Sequence, residues 1–421
     1  MTDTPRIDPD RLWAALEEVS TFGGTPDGGL HRLCASTEDG AARDWLAARG
    51  AEVGLDLRVD AVGNMFLRRP AGPSGAGASG AGEVGPAGAV LFGSHLDSQP
   101  AGGRYDGIYG VIAGLEVMRV LHDAGVATRH PFELVNWTDE EGARYAPSLL
   151  GSSVYSGKLA AADVLATADA DGLTLGAELE RIGYAGTDVI DPAEHAAYVE
   201  LHIEQGPILE AEGLDLAVVP GVQGMGWMEM VVRGARGHAG TTPMEGRRDA
   251  LVAAARVVTG VQAVGLARPG DGRATVGVLE VKDPAPNVVP DHVRFVVEVR
   301  HPTQAPQMMA EIAALAREVG QESGCEVTMT TLWDSDPVVF HDVVLDEARA
   351  AVAALGRPVR ELASGAGHDA CEVAKHVPTG MIFVPCIGGV SHAPQERITP
   401  QWAAIGAQAL LDTLLRVDAA L

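Results

Sequence analysis

The chain has 421 residues, of which 46% are hydrophobic and 21% are charged, so it can bury a large core, and its length predicts two domains. This composition excludes disordered and fibrous proteins. The 57 acidic residues outnumber the 31 basic ones, and the net charge of -26 argues against nucleic acid and anionic membrane surfaces as partners.

Helical spacing of apolar residues predicts two opening helices, at residues 8–19 and 40–49. Asp8 suits the N-cap of the first helix, and Pro9 suits its first helical position. Residues 71–88 are almost entirely Gly, Ala, Ser and Pro. Because such a segment cannot offset its ordering entropy by burial, we expect a flexible surface connector there.

Short apolar runs of strand length follow, rich in Val, Ile, Leu or Phe, at residues 89–92, 132–136, 197–201 and 381–384. Helical patterns separate several of them, notably at residues 109–122. This alternation predicts an α/β fold with a largely parallel sheet that is flanked by helices.

Between about residues 221 and 331 the pattern changes to alternating strands, such as 228–232 and 293–299, with helical stretches at 249–264 and 307–320. This texture predicts an α+β domain inserted into the first one. The α/β pattern then resumes with a helix at residues 346–355. We therefore expect one domain from residues 1–218 and 333–421, and an inserted domain from residues 219–332.

The four cysteines, Cys34, Cys325, Cys371 and Cys386, lie far apart and form no CxxC pair, which argues against a disulfide framework or a zinc ribbon. The first twenty residues lack a basic-then-apolar run, and no stretch has the roughly 20 apolar residues of a membrane helix. We expect a cytoplasmic protein that is neither exported nor bound to a membrane.

Metal-capable side chains closely follow each of the four predicted buried strands. They are His95, Asp97 and Asp106 after the first strand, Asp139, Glu140 and Glu141 after the second, His202 and Glu204 after the third, and His392 after the fourth. A single histidine, or one Asp-Glu-Glu run, is more often an ordinary surface feature. However, parallel strands bring their carboxyl ends to one sheet edge, where three histidines and several carboxylates form a two-metal composition.

Several motifs occur in a fixed order along nearly the whole chain: GSHLDSQPAGGRYDGIYGVIAGLEV, NWTDEEGARYAPSLLGS, ELHIEQGPILE, RGHAGTTPMEGRRDA, PNVVPD and GGVSHAP. In order and spacing they resemble the hydantoinase/carbamoylase branch of the M20 metallopeptidase-like amidohydrolases. This branch contains N-carbamoyl-L-amino acid hydrolases, β-ureidopropionases and allantoate amidohydrolases, which cleave ureido C–N bonds. The resemblance implies an M20 peptidase-like catalytic domain, an inserted lid and dimerisation domain, and a homodimer.

The resemblance also implies two divalent metal ions per subunit, for which Zn, Mn, Co and Ni are candidates. His95 and His202 would hold one ion, Glu141 and His392 would hold the other, and Asp106 would bridge them. Imidazole and carboxylate are suitable ligands for these ions, and a shared carboxylate suits two ions at about 3.5–4 Å.

Further roles follow from the same resemblance. Glu140 would take a proton from the attacking water and pass it to the departing nitrogen. Asp97 would orient the ring of His95, although a simple loop cap is an alternative role for it.

The predicted inserted domain supplies another set of candidates. His238 of the GHAGTTP motif would reach the metal site of a neighbouring subunit and bind the developing oxyanion. Asn287 and Arg300 would hold the substrate carboxylate, which the planar fork of arginine matches, although an ordinary ion pair is the alternative for Arg300. Further candidate pocket residues are Gln205, Gln223 and His368.

We therefore predict a metal-dependent amidohydrolase that converts a small N-carbamoyl amino acid to the amino acid, CO₂ and ammonia. Allantoate and a β-ureido acid such as N-carbamoyl-β-alanine are alternative substrates, and a co-catalytic aminopeptidase is a third alternative. A non-catalytic binding protein on the same fold would lack a ligand or the base, and none is missing here. The chain has no G-x-S-x-G and no G-x-x-x-x-G-K-[ST], which argues against serine hydrolysis and P-loop nucleotide binding.

Overall fold

A computed structural model of the protein describes residues 5–72 and 88–421, which form two compact units. The first unit comprises Met1–Pro220 and Phe340–Leu421, and the second comprises Gly221–Val339. The connector expected at residues 71–88 lies almost entirely outside the described residues. Within the described part of the chain, no helix has both the length and the apolarity needed to cross a bilayer.

The helices of the described residues follow in chain order: α1 (Pro9–Val19), α2 (Thr37–Glu52), α3 (Ile108–Asp123), α4 (Leu150–Tyr155), α5 (Ala161–Leu165), α6 (Leu175–Ile182), α7 (Ile208–Glu212), α8 (Ala250–Leu266), α9 (Ala305–Ser323), α10 (Asp342–Ala354), α11 (Asp369–Val373) and α12 (Pro400–Ala420). The predicted start of α1 is confirmed, because the Asp8 side chain accepts hydrogen bonds from the amides of Asp10 and Arg11. The predicted helices at residues 40–49, 109–122 and 346–355 correspond to α2, α3 and α10.

The strands are β1 (Asp56–Val59), β2 (Met65–Arg69), β3 (Ala89–His95), β4 (Phe132–Trp137), β5 (His195–Ile203), β6 (Ala217–Val219), β7 (Gly221–Val222), β8 (Gly224–Arg233), β9 (Gly237–His238), β10 (Arg273–Val281), β11 (Val288–Val289), β12 (His292–His301), β13 (Glu326–Ser335), β14 (Val338–Val339) and β15 (Thr379–Val384). The four predicted buried strands are confirmed as β3, β4, β5 and β15, each one to four residues longer than predicted.

The sheet of the first unit has the order β1-β2-β4-β3-β5-β15-β6. Its central strands, β4, β3, β5 and β15, are parallel neighbours, whereas β1, β2 and β6 pair antiparallel at the two edges. Every residue of β3, β4 and β15 is buried, which explains why these segments are continuously apolar rather than alternating. Helices α3, α10 and α12 pack against this sheet. The predicted α/β class is therefore confirmed.

The second unit contains an antiparallel sheet in the order β10-β12-β8-β13. Buried residues alternate along β8 and β12, as expected for a sheet with one covered face. Helices α8 and α9 cover that face, and their side chains share a core with Met230, Phe295 and Val297. The predicted strands and the two predicted helices of this region are present.

Candidate metal centre

Side chains that follow the central strands converge at one edge of the first unit's sheet. His95 is the last residue of β3, His202 lies near the end of β5, Glu140 and Glu141 follow β4, Asp106 precedes α3, and His392 follows β15. The carboxyl ends of parallel strands meet at one edge, and this brings residues together that are nearly 300 positions apart.

Two groups of potential ligands share one carboxylate. His95, Asp106 and His202 form the first group, and Asp106, Glu141 and His392 form the second, each with ligand atoms within 4.8 Å of one another. His202 Nε2 lies 3.2 Å from Asp106 Oδ1, while His392 Nε2 lies 3.2 Å from Asp106 Oδ2 and 3.4 Å from Glu141 Oε2. The two Asp106 oxygens thus face different groups, the arrangement expected of a bridging ligand.

Backbone carbonyls determine the tautomers of two of these histidines. Nδ1 of His95 lies 3.0 Å from the Asp97 carbonyl oxygen, and Nδ1 of His202 lies 2.9 Å from that of Ile203. Because a carbonyl only accepts, each Nδ1 carries the proton, and Nε2 is left as the ligand atom. Burial lowers the pKa of His95 to about 4, so its imidazole is neutral, the form that binds metal.

Gly107 allows the backbone to approach His95 closely. A Cβ atom at Gly107 would lie 2.1 Å from His95 Nε2, and the residue has a φ of +65°. Any side chain would therefore collide with the His95 ring and strain the backbone.

Asp97 contacts His95 through its backbone carbonyl, whereas its carboxylate hydrogen-bonds elsewhere. Its carboxylate oxygen is 3.7 Å from His95 Nδ1, which already donates to the Asp97 backbone carbonyl. The carboxylate instead accepts hydrogen bonds from the amides of Glu140 at 3.4 Å and Glu141 at 3.3 Å. Asp97 therefore connects the loop after β3 to the loop that carries both glutamates.

The carboxylates at this edge of the sheet are buried and lie close to one another. Burial raises the pKa of Glu140 well above its ordinary value, and the Asp369 and Glu141 carboxylates raise it further. Burial, and then the Asp106 carboxylate, raises the pKa of Glu141 to about 8 and that of Glu396 to about 7. These acids favour protonation because burial disfavours their charged forms and neighbouring carboxylates repel them. Bound divalent ions would neutralise them, so this donor set fits two such ions.

Gln205 and His368 line the same cavity, which measures about 160 Å³ and is bordered by Glu140, Glu141 and His392. The Gln205 side chain donates to Asp106 Oδ2 at 2.8 Å, and its buried Oε1 atom has no hydrogen-bond partner within the described protein. His368 is buried, hydrogen-bonds to Ser364 at 2.8 Å and packs edge-on against the ring of His202. Gln205 thus lines the cavity with a side chain whose amide nitrogen is engaged by Asp106.

The remaining predicted site residues belong to the second unit. His238 and Asn287 meet there, because β9 pairs with β11 and the Ala239 amide donates to the Asn287 carbonyl at 2.9 Å. Arg300 lies on the uncovered face of the sheet and pairs with Glu298, with its Nε at 2.7 Å. Gln223 is half-buried between β7 and β8.

Sequence reasoning missed three residues that contact the predicted ligands. Gln99 hydrogen-bonds to Glu141, Ser391 lies 2.9 Å from Asp106 Oδ2, and Glu396 accepts from the Asp106 amide. Gln99 and Ser391 stand inside the quoted motifs, and Glu396 follows His392 by four positions. Their nearness to ligands in the sequence was a signal, but it could not show which ligand each one contacts.

Comparisons with known proteins identify the family of this chain. The family model for Peptidase family M20/M25/M40 matches residues 91–416. The chain is 40% identical to an N-carbamoyl-L-amino-acid amidohydrolase of Rhizobium meliloti, over 97% of this chain and 96% of the relative. It is 37% identical to an N-carbamoyl-L-amino acid amidohydrolase of Geobacillus stearothermophilus, over 97% and 98%. A crystal structure of an amidase of the hydantoinase/carbamoylase family from Burkholderia multivorans has a TM-score of 0.89 and 43% identity, covering 98% of both chains.

Proposed function

The chain belongs to Peptidase family M20/M25/M40 and to its hydantoinase/carbamoylase branch, and from this premise we propose that it hydrolyses N-carbamoyl amino acids. The reaction cleaves the ureido C–N bond and yields the amino acid, CO₂ and ammonia. The observation that carries the proposal is the Asp106 carboxylate, whose two oxygens face two separate groups of ligand-type side chains.

We propose that His95 and His202 hold one divalent ion, that Glu141 and His392 hold the other, and that Asp106 belongs to both. Zn, Mn, Co and Ni are the candidate metals. When bound, such ions polarise a carbonyl oxygen and lower the pKa of a nearby water molecule.

Glu140 is the proposed general base and acid. It is buried and borders the cavity, and its Oε2 atom lies 3.5 Å from His95 Nε2. Among the described residues it belongs to none of the three-residue groups of potential ligands, so its carboxylate remains available for proton transfer. We expect it to accept a proton from the attacking water and to deliver it to the departing nitrogen.

Recognition of the substrate carboxylate is assigned to the second unit. Arg300 presents a planar guanidinium on the uncovered sheet face, where Glu298 now holds it, and a substrate carboxylate could bind to the same fork. Asn287 is exposed beside His238 and offers an amide for the same group. Gln205 of the first unit would accept from the ureido nitrogen.

A homodimer is part of the proposal. His238 is exposed within its unit, and we propose that it completes the site of a neighbouring subunit by donating to the developing oxyanion. We also propose a cytoplasmic setting, in keeping with the four free thiols of Cys34, Cys325, Cys371 and Cys386.

The test is ammonia release from a panel of N-carbamoyl α-amino acids, N-carbamoyl-β-alanine and allantoate. Each substrate is assayed after chelation and dialysis, and again after Zn, Mn, Co or Ni is restored. We expect chelation to abolish turnover, restored metal to recover it, and N-carbamoyl α-amino acids to react fastest. Full activity in protein that contains no transition metal by elemental analysis would contradict the metal assignment. Faster hydrolysis of allantoate would change the substrate assignment.

A further inference from the structure

Glu396 is a fully buried carboxylate that contacts the segment carrying Asp106. Its Oε1 atom accepts hydrogen bonds from the amide of Tyr105 at 2.8 Å and from the amide of Asp106 at 3.1 Å. The segment just before α3 that carries Asp106 is thus fixed by hydrogen bonds to a side chain nearly 300 residues away in the chain.

The other oxygen of Glu396 extends this contact to the Asp106 side chain. Glu396 Oε2 lies 3.1 Å from Ser391 Oγ, and that hydroxyl lies 2.9 Å from Asp106 Oδ2. Ser391 also directly precedes His392, which belongs to the same group of potential ligands as Asp106. One side chain therefore connects the loop after β3 to the loop after β15.

Gly103 packs directly on the Glu396 carboxylate. A Cβ atom added at Gly103 would lie 2.0 Å from both Cδ and Oε1 of Glu396. Real atoms do not approach this closely, so any side chain at position 103 must displace the carboxylate or the loop. The contact offers a second way to disturb Glu396 without changing Glu396 itself.

We propose that Glu396 is a positioning residue that holds Asp106 and the His392 loop in ligand geometry and so sets the metal affinity of the shared site. This inference rests on the proposed function. A bridging carboxylate must present both oxygens in fixed directions, and Asp106 lies outside any helix or strand. Partners of metal ligands typically change metal affinity by about 10- to 100-fold when they are removed.

A purely structural role is the alternative, and Asp418 provides a matched control for it. Asp418 is also buried, and it accepts hydrogen bonds from the amides of Arg129 and His130 at 2.9 and 2.7 Å. Neither of these partners belongs to a potential ligand group. Loss of Asp418 should therefore lower stability without changing metal affinity.

The experiment titrates Zn²⁺ or Mn²⁺ into chelator-treated protein by calorimetry, with elemental analysis of the loaded protein and a melting temperature for the metal-free form. Glu396→Ala should weaken binding by about 10- to 100-fold. Glu396→Gln should weaken it by less than about tenfold, because its oxygen can accept from both amides while its nitrogen donates to Ser391. Asp418→Ala should bind with wild-type affinity despite a lower melting temperature.

Gly103→Ala should also weaken metal binding, as Glu396→Ala does. If Glu396→Ala does not fold, Gly103→Ala provides the test of the inference. Wild-type metal affinity in whichever of these two variants is folded would overturn the inference, and so would an equal loss in Asp418→Ala. If the wild-type chain itself takes up no metal, the proposed function fails and the inference fails with it. Two bound ions in the wild type, with no change in the variants, would overturn the inference alone.

Discussion

Gln99 donates two hydrogen bonds to Glu141. Its backbone amide reaches Glu141 Oε1 at 3.1 Å, and its side-chain nitrogen reaches Oε2 at 2.8 Å. Gln99 lies in the loop after β3, and Glu141 lies in the loop after β4. The two loops are therefore joined at a residue that we propose as a metal ligand.

The Gln99 side chain should orient Glu141 for metal binding. In Gln99→Ala the backbone bond to Oε1 remains and the bond to Oε2 is lost, so we expect about tenfold weaker metal binding. Calorimetric titration of Zn²⁺ into chelator-treated protein measures this change. Gln307→Ala is the control, because Gln307 makes a similar bond to Glu311 at 3.0 Å in the other unit. Equal affinities in Gln99→Ala and the wild type would show that the bond has no such role.

Glu140→Gln should separate turnover from metal content. The amide cannot accept a proton from water, so we expect kcat to fall by about 10²- to 10⁴-fold. Elemental analysis should still find the wild-type amount of metal, whereas Asp106→Ala should lose metal. The control is Glu116→Gln, which changes a buried glutamate that pairs with Arg11 at 2.8 Å. Normal turnover in Glu140→Gln would exclude Glu140 as the base.

Arg300→Lys should not be a conservative change. An ammonium group cannot form two parallel hydrogen bonds with a carboxylate, so we expect kcat/KM to fall about tenfold or more, with metal content unchanged. Arg300→Ala should lower it further. Arg294→Lys is the matched control, since Arg294 lies on the same strand and sheet face and pairs with Glu229 at 2.6 Å.

Substrate analogues that lack the carboxylate provide a second test of the role proposed for Arg300. The wild-type protein should hydrolyse substrates whose carboxylate is converted to an amide more slowly than the acids, because the amide forms no ion pair with the guanidinium. Equal rates for both would remove this role from Arg300 and would weaken the proposed substrate class.

Mixed subunits test the proposed contribution of His238. Glu140→Gln and His238→Ala proteins should each be nearly inactive alone, but a hybrid dimer would contain one site with Glu140 from one subunit and His238 from the other. Random pairing of equal amounts should restore up to about a quarter of wild-type activity. Sizing chromatography provides the oligomeric state in the same buffer. A fully active monomer would contradict the shared site.

Sequence patterns alone predicted the elements whose residues are uniformly buried or regularly alternating. The strands β3, β4, β5 and β15 are apolar because both faces of the sheet's centre are covered, so their composition carries the signal. The edge strand β1 is only partly covered, and its sequence DLRV has two charged and two apolar residues, so it has no such signal. The metal-type residues were also readable, because each closely follows an apolar run.

Only the tertiary structure determined which atoms of these residues contact one another. The pairing of Glu396 with Asp106, of Gln99 with Glu141, and of Asp97 with the Glu140 amide joins loops that are distant in the chain. Such contacts depend on sheet order and loop conformation, which periodicity does not encode. The chemical types of the site therefore follow from local sequence, whereas their orientation follows from the parallel strands that end at one edge.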